Sequence, residues 1–142
     1  MTTKSGTSTM RLVRAAILAR LEAGTSVQVL GWDAPDDLPS ITLGLPIVSR
    51  VGPDDPEPEH GSDQWTSAWP VTIYADASDR ETGTLQALDT LSDVIAAFDA
   101  VETATLTAGY VMYRAIQAEP VDVPSGTAIT AYQVTIEARH IT

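Results

Sequence analysis

The chain has 142 residues and a mass of 15.1 kDa, a length that fits one domain around a single core. Its 8 lysines and arginines against 19 aspartates and glutamates leave a net charge of −11, which argues against a nucleic-acid binder that works by neutralising phosphates and against adhesion to anionic membranes. There is no cysteine, which excludes a disulfide framework, a thiolate zinc site and a cysteine nucleophile.

Residues 1–9 are mostly small and polar. They lack the apolar stretch of a secretory signal and read as an N-terminal arm, either frayed or ordered on a neighbouring subunit. No run of 18 apolar residues occurs anywhere, so no membrane-spanning helix is expected. Residues 10–142 are expected to form one domain.

From Met10 to Ala23, Val13, Ile17 and Leu21 recur every four positions, with Leu12, Ala16 and Leu18 beside them. This spacing predicts a helix with one broad apolar face. Arg20 projects close to that stripe, either with a snorkelling stem or as a subunit contact. Gly24 is placed to end the helix as a C-terminal cap. Val27 to Gly31 is a short β-prone run, and Trp32 to Asp37 is turn chemistry. Between Pro39 and Val48 the residues Ile41, Leu43, Leu45 and Ile47 alternate, predicting a half-buried strand. Pro46 puts that end of it at an edge or a bulge.

Residues 52–64 hold three prolines and five carboxylates in thirteen positions, a composition that predicts a long solvated loop. Trp65 to Ala75 reads as a strand with Trp65, Trp69, Val71, Ile73 and Ala75 on one parity. Ser78 and Glu81 have the spacing of a capping box. Leu85, Leu88, Leu91, Ile95 and Phe98 then mark one face of a second helix. A short strand is expected over 103–107, another from Tyr110 to Ala118, and a last one from Ala128 to His140, in which Tyr132, Val134, Ile136 and Ala138 face one way. The order predicts an α+β fold: a small, largely antiparallel sheet of about four or five strands with two helices packed on one face.

The chain lacks the common nucleotide-binding and hydrolase motifs, Gly-x-x-x-x-Gly-Lys, Gly-x-Gly-x-x-Gly, His-Glu-x-x-His and Gly-x-Ser-x-Gly. Its one lysine, Lys4, lies in the N-terminal arm and offers no buried nucleophile. His60 follows Asp54, Asp55, Glu57 and Glu59, residue types that bind divalent metals, but a proline-rich loop holds no fixed coordination geometry by itself. His140 reads as an exposed strand residue. No catalytic, cofactor-binding or metal set is assigned. Trp65 and Trp69 share one strand face and belong either to the core or to a subunit interface, where tryptophan is enriched. Trp32, beside a turn, is another interface candidate.

The layout resembles the tail terminator proteins of long-tailed bacteriophages, also called tail-completion or minor tail U-like proteins. The stretches that carry the resemblance are the helix Met10-Arg11-Leu12-Val13-Arg14-Ala15-Ala16-Ile17-Leu18, the run Asp37-Leu38-Pro39-Ser40-Ile41-Thr42-Leu43-Gly44, and the strand Trp69-Pro70-Val71-Thr72-Ile73-Tyr74-Ala75 with its capped helix through Leu85, Leu88 and Leu91. A β-rich segment ending at Thr142 completes it. The match spans residues 10–140 by layout rather than by invariant residues, and the loop at 52–64 matches nothing in it.

The resemblance implies a structural virion protein with no enzymatic activity and no cofactor, assembled in the host cytoplasm into the tail–head neck. Six copies would form a ring that caps the major tail tube protein and meets a head-closure or connector protein. DNA would pass through the lumen without specific binding. Six copies at −11 carry about −66, and an acidic lumen repels phosphates. A cyclic ring uses two different patches per subunit, for which Arg20, Trp32, Asp54, Asp55, Glu57, Glu59, Trp65 and Trp69 are the candidates. Three rival readings are another neck component, such as a head-closure or head–tail joining protein, a small acidic inhibitor that mimics DNA, and a small hydrolase or metal-dependent enzyme using His60 or His140, for which the sequence supplies no partner set. The inhibitor would need its carboxylates in register on one face, whereas here they gather in turns and in the 52–64 loop.

Overall fold

Among the described residues, two helices and seven strands follow in the order α1 (Thr9–Gly24), β1 (Gln28–Leu30), β2 (Ser40–Leu43), β3 (Ile47–Arg50), β4 (Trp65–Asp76), α2 (Arg80–Ala97), β5 (Glu102–Leu106), β6 (Gly109–Val121) and β7 (Ile129–Ile141). They are seen in a computed structural model that describes residues 9–30, 39–50, 65–98, 102–106, 109–122 and 128–141. The strands form one mixed sheet in the order β1-β2-β4-β7-β6-β5, with β3 also beside β4. The β1–β2 pair is parallel and the other pairs are antiparallel. The α+β class is the expected one, with seven strands where four or five were expected. The acidic segment 52–64 and residues 1–8 of the arm lie outside the described residues, and Thr9, read as the last residue of the arm, is the first of α1.

Both helices pack on one face of this sheet. α1 contributes Val13, Ile17 and Leu21, all fully buried, to a core shared with Val94 and Phe98 of α2 and with Ile41, Leu43, Trp69, Val71, Ile73, Val134 and Ile136 of the sheet. The alternation in β7 places Val134, Ile136 and Ala138 in that core, with Tyr132 packed against its margin. At the end of α1 the glycine has a different purpose from a left-handed cap. Gly24 is the last helical residue, and a Cβ there would lie 2.8 Å from the Cβ of Ala97. The glycine lets the C-terminal ends of the two helices meet.

The inward face of α2 is not the leucine stripe. Leu85, Leu88 and Ile95 are 55%, 44% and 38% exposed, while Gly83, Ala87, Thr90 and Val94 are buried. Both sets recur at helical spacing, and the set with the smaller side chains faces the sheet because the helix sits so close. A Cβ on Gly83 would collide with the carbonyl oxygen of Asp76 and come within 2.9 Å of the Cα of Ala77. Of the residues expected inside, Phe98 is fully buried and Leu91 only partly.

The cap also differs from the expected box. Asp79 is the N-cap, its Oδ1 accepting from the backbone N–H groups of Glu81 and Thr82 at 3.2 and 3.3 Å. Ser78 instead turns back, and both its N–H and its hydroxyl donate to Oδ1 of Asp76. An aspartate one residue later in the chain takes the position because its carboxylate also meets the positive end of the helix.

The stretch 39–48, read as one strand, is two. β2 pairs with Val71–Tyr74 of β4 and β3 with Trp65–Ala68, so that Leu43 lies opposite Val71 but Ile47 opposite Ala68. Four steps along this chain span three along β4. One residue is therefore inserted at Gly44-Leu45-Pro46, and an odd insertion turns every later side chain to the other face. Ile41 and Leu43 are buried, while Leu45 and Ile47 are 86% and 75% exposed.

Two outcomes follow for stability. Gly83→Ala is expected to lower it by about 1–3 kcal/mol through overpacking, and Leu85→Ala to change it by no more than about 0.5 kcal/mol, both read by urea melts; equal effects would contradict the assignment of the helix face. The hydrogen bonds at the helix N-terminus hold the pKa of Asp79 below its ordinary 3.8. A depressed carboxylate stabilises above its unfolded pKa and loses that contribution as pH falls through its folded value. Asp79→Ala should therefore lower Tm at pH 7, with the gap to the parent chain closing below about pH 4.

Candidate interaction surfaces

The sequence-derived candidates separate into three groups. Trp69 is 2% exposed, and its indole Nε1–H donates to Ser67 Oγ at 2.8 Å, so it is core and presents nothing to a neighbour. Trp65, at the start of β4, is only partly buried. Trp32, Asp54, Asp55, Glu57 and Glu59 lie outside the described residues.

Arg20 is engaged within its own chain. Its Nε–H donates to the carbonyl oxygen of Ala97 at 2.8 Å, and its guanidinium lies over the ring of Phe98, 5.6 Å from the centroid. The carbonyl belongs to the last turn of α2, where the backbone dipole favours a cation. The Phe98 ring meets Tyr113 at 6.4 Å, tilted by 58°. Burial pushes the Tyr113 phenol up from its ordinary pKa of 10.0, with Arg20 opposing. One arginine thus fastens α1 to the end of α2 over an aromatic pair.

The helix-free face of the sheet is polar and sparsely charged. By register it carries Thr66, Ala68, Thr72 and Tyr74 of β4, Gln133, Thr135, Glu137 and Arg139 of β7, and Met112 and Arg114 of β6. Arg114 pairs with Glu137 across the β6–β7 ladder at 3.1 Å, and a shallow depression lies between Met112, Arg114, Glu137 and Arg139. Exposed ion pairs of this kind contribute little stability. The described residues hold ten of the nineteen carboxylates and seven of the eight cationic side chains, a net −3. The remaining −8 is the nine carboxylates of the connecting segments, above all 31–38 and 51–64, less Lys4 of the N-terminal arm.

Sequence reasoning missed two apolar surfaces. One is the corner between β2 and β3, where Leu45, Ile47 and the 41%-exposed Val48 stand out from the sheet edge. The other is the outer flank of α2 with Leu88 and Ile95; Ile116, at an irregularity of β6 between Ala115 and Gln117, is exposed as well. The proline after Gly44-Leu45 was the available signal for the first. For the second it was the glycine at position 83 within a helix.

Among the described residues no three His, Asp or Glu side chains gather as a metal site. His60 lies outside those residues, and His140 is in β7 opposite Trp65. No described helix is long and apolar enough to cross a membrane.

No protein-family model and no curated protein matches the chain. Among solved structures, it shares its fold with a chain of the "Virion of native gene transfer agent (GTA) particle". The TM-score is 0.68 at 16% identity, over 92% of this chain and 95% of the other.

Arg20→Met keeps the apolar stem and removes the cation. It is expected to lower the stability of the dilute protomer by about 1–2 kcal/mol in denaturant melts. An unchanged melt, with assembly lost at high concentration, would show that Arg20 acts between subunits instead.

Proposed function

We propose that the protein is a non-enzymatic structural component of a phage-like virion: a ring, of six copies by the sequence resemblance, that ends the tail tube and joins it to the head-side connector. The observation that carries this reading is the fold shared with a gene transfer agent virion chain over nearly the full length of both. The stretches that resemble tail terminators support the same reading.

Chemistry fits the proposal. A ring needs two different surfaces per subunit, and the protomer has unlike apolar surfaces at the β3 corner and along α2. A passage for DNA must not hold it. Here the helix-free sheet face is nearly neutral, and most of the negative charge belongs to segments between the strands and helices, positioned by sequence to repel phosphates from loops rather than from the sheet.

The test adds the purified protein to self-assembling tail tube protein and follows tube length by negative-stain electron microscopy, with light-scattering mass on the protein alone. Tubes of limited length bearing a ring at one end are expected, together with a ring mass in solution or on the tube. Tubes that grow without limit and carry no protein at their ends would end the terminator assignment.

A further inference from the structure

A groove of about 400 Å³ runs between α2 and the residues that enter β1, lined in part by Val27, Leu85, Gln86, Asp89, Thr90 and Asp93. Gln86, Asp89, Thr90 and Asp93 recur at spacings of three and four, which puts them on one flank of the helix. Thr90 is only 5% exposed, yet its hydroxyl has no hydrogen-bond partner among the described residues. Neither have the Gln86 amide and the carboxylates of Asp89 and Asp93. The two aspartates stand four apart, where like charges oppose one another. No third carboxylate or imidazole gathers with them among the described residues. Acceptors in this number suit a guanidinium, which brings five N–H donors in one plane, and Val27 and Leu85 offer apolar surface to its stem.

The complementary charge is gathered at the start of the chain. Residues 1–21 hold four of the eight lysines and arginines and no carboxylate, in a chain of net −11. Arg11 is exposed in the first turn of α1. That turn contains no acidic residue, and the backbone dipole adds positive charge at the same end. α1 contacts both β1 and β5, the two ends of the sheet order. Its 16 residues make a helix about 24 Å long, the width of the six strands in that order at about 4.8 Å per spacing. The C-terminal end of α1 leads through residues 25–27 to β1 and the groove, so its N-terminal end lies toward the β5 edge. No protomer can place Arg11 in its own groove.

We propose that the groove between α2 and β1 receives the N-terminal end of α1 from a second copy, with Arg11 set between Asp89 and Asp93. The proposal rests on the self-association in the proposed function and names its two surfaces. A carboxylate-free, cationic helix end meets the unpartnered acceptors of the groove, and the repulsion between the two aspartates is relieved. Donor and groove lie toward opposite edges of one sheet, so the contact is head-to-tail, the type that closes into a ring.

The test reverses each charge separately and then mixes the two proteins. Arg11→Glu changes the donor, and Asp89→Arg with Asp93→Arg changes the groove. Each variant alone is expected to self-associate at least tenfold more weakly by light scattering, in solution and on tail tubes. An equimolar mixture should recover assembly, because every donor then meets a groove of opposite charge. Arg11→Lys should assemble close to the parent level. All three side chains are exposed, so the Tm of the dilute protomer should hold, and recovery in the mixture shows in addition that both variants fold. Weak association of each variant with no recovery on mixing would overturn the pairing. Rings unchanged by either reversal would overturn these surfaces while leaving the ring reading in place. A parent chain that stays a protomer at every concentration and on tubes would overturn both. Calcium ion alone binding the parent in calorimetry, lost in a groove variant that still self-associates, would assign the groove to a metal ion and overturn the contact.

Discussion

β4 and β7 are paired along the whole twelve residues of β4, from Trp65 opposite His140 to Asp76 opposite Ile129, and the other elements take their places from this ladder. Its helix-side residues Trp69, Val71, Ile73, Val134 and Ile136 form the floor of the core. α2 returns along it directly after β4, held at its start by the fit of Gly83 to the backbone of Asp76 and Ala77. α1 then joins the same core through Val13, Ile17 and Leu21, in one buried cluster with Phe98, Tyr113 and Trp69. A side chain at position 83 would lift the helix and open the core beneath it.

Patterns set by burial on one side of a regular element were legible in the sequence. The four-residue spacing of Val13, Ile17 and Leu21 and the alternation of Tyr132, Val134, Ile136 and Ala138 both report a face that must leave water, and nothing competes with them. The reading of α2 failed because two faces have helical spacing. Hydrophobicity favours Leu85, Leu88 and Ile95, but the distance between helix and sheet is set by Gly83, Ala87 and Thr90, and close packing outweighs the apolar content of the larger side chains. The reading of 39–48 was right that Pro46 marks an edge or a bulge and wrong on the side chains beyond it: the alternation is unbroken in sequence, and the pairing partner shows that one inserted residue turns them to the other face. Ala68 rather than Ser67 opposite Ile47 decides which face a side chain takes.

Interface candidates chosen by residue type were the least legible part. Tryptophan and arginine are enriched at interfaces, yet Trp69 and Arg20 find complete partners at home, Ser67 for one and Ala97 with Phe98 for the other. A long apolar body with one polar tip suits a protein interior as well as a subunit contact. Sequence shows only the side chain, whereas the partner decides its use. Leu45 and Ile47, which alternate as though buried, are the residues the protomer leaves uncovered.

That reversal bears on why the chain keeps Gly44-Leu45-Pro46. A continuous strand across 40–50 would place Leu45 with Ile41 and Leu43 and bury all three, a gain of roughly 1.5–3 kcal/mol for a side chain of this size. The inserted residue forgoes that gain within the protomer. Gly44 fixes the bend, its N–H donating to the carbonyl oxygen of Pro70 at 2.9 Å, and a Cβ there would meet the Pro70 ring at 2.9 Å. The bend is therefore built in rather than frayed. Its effect is to move apolar surface from the core to the sheet edge, in a stretch, 39–50, that carries no carboxylate. Surface so placed gains nothing in an isolated protomer, and it repays its cost only where another surface covers it.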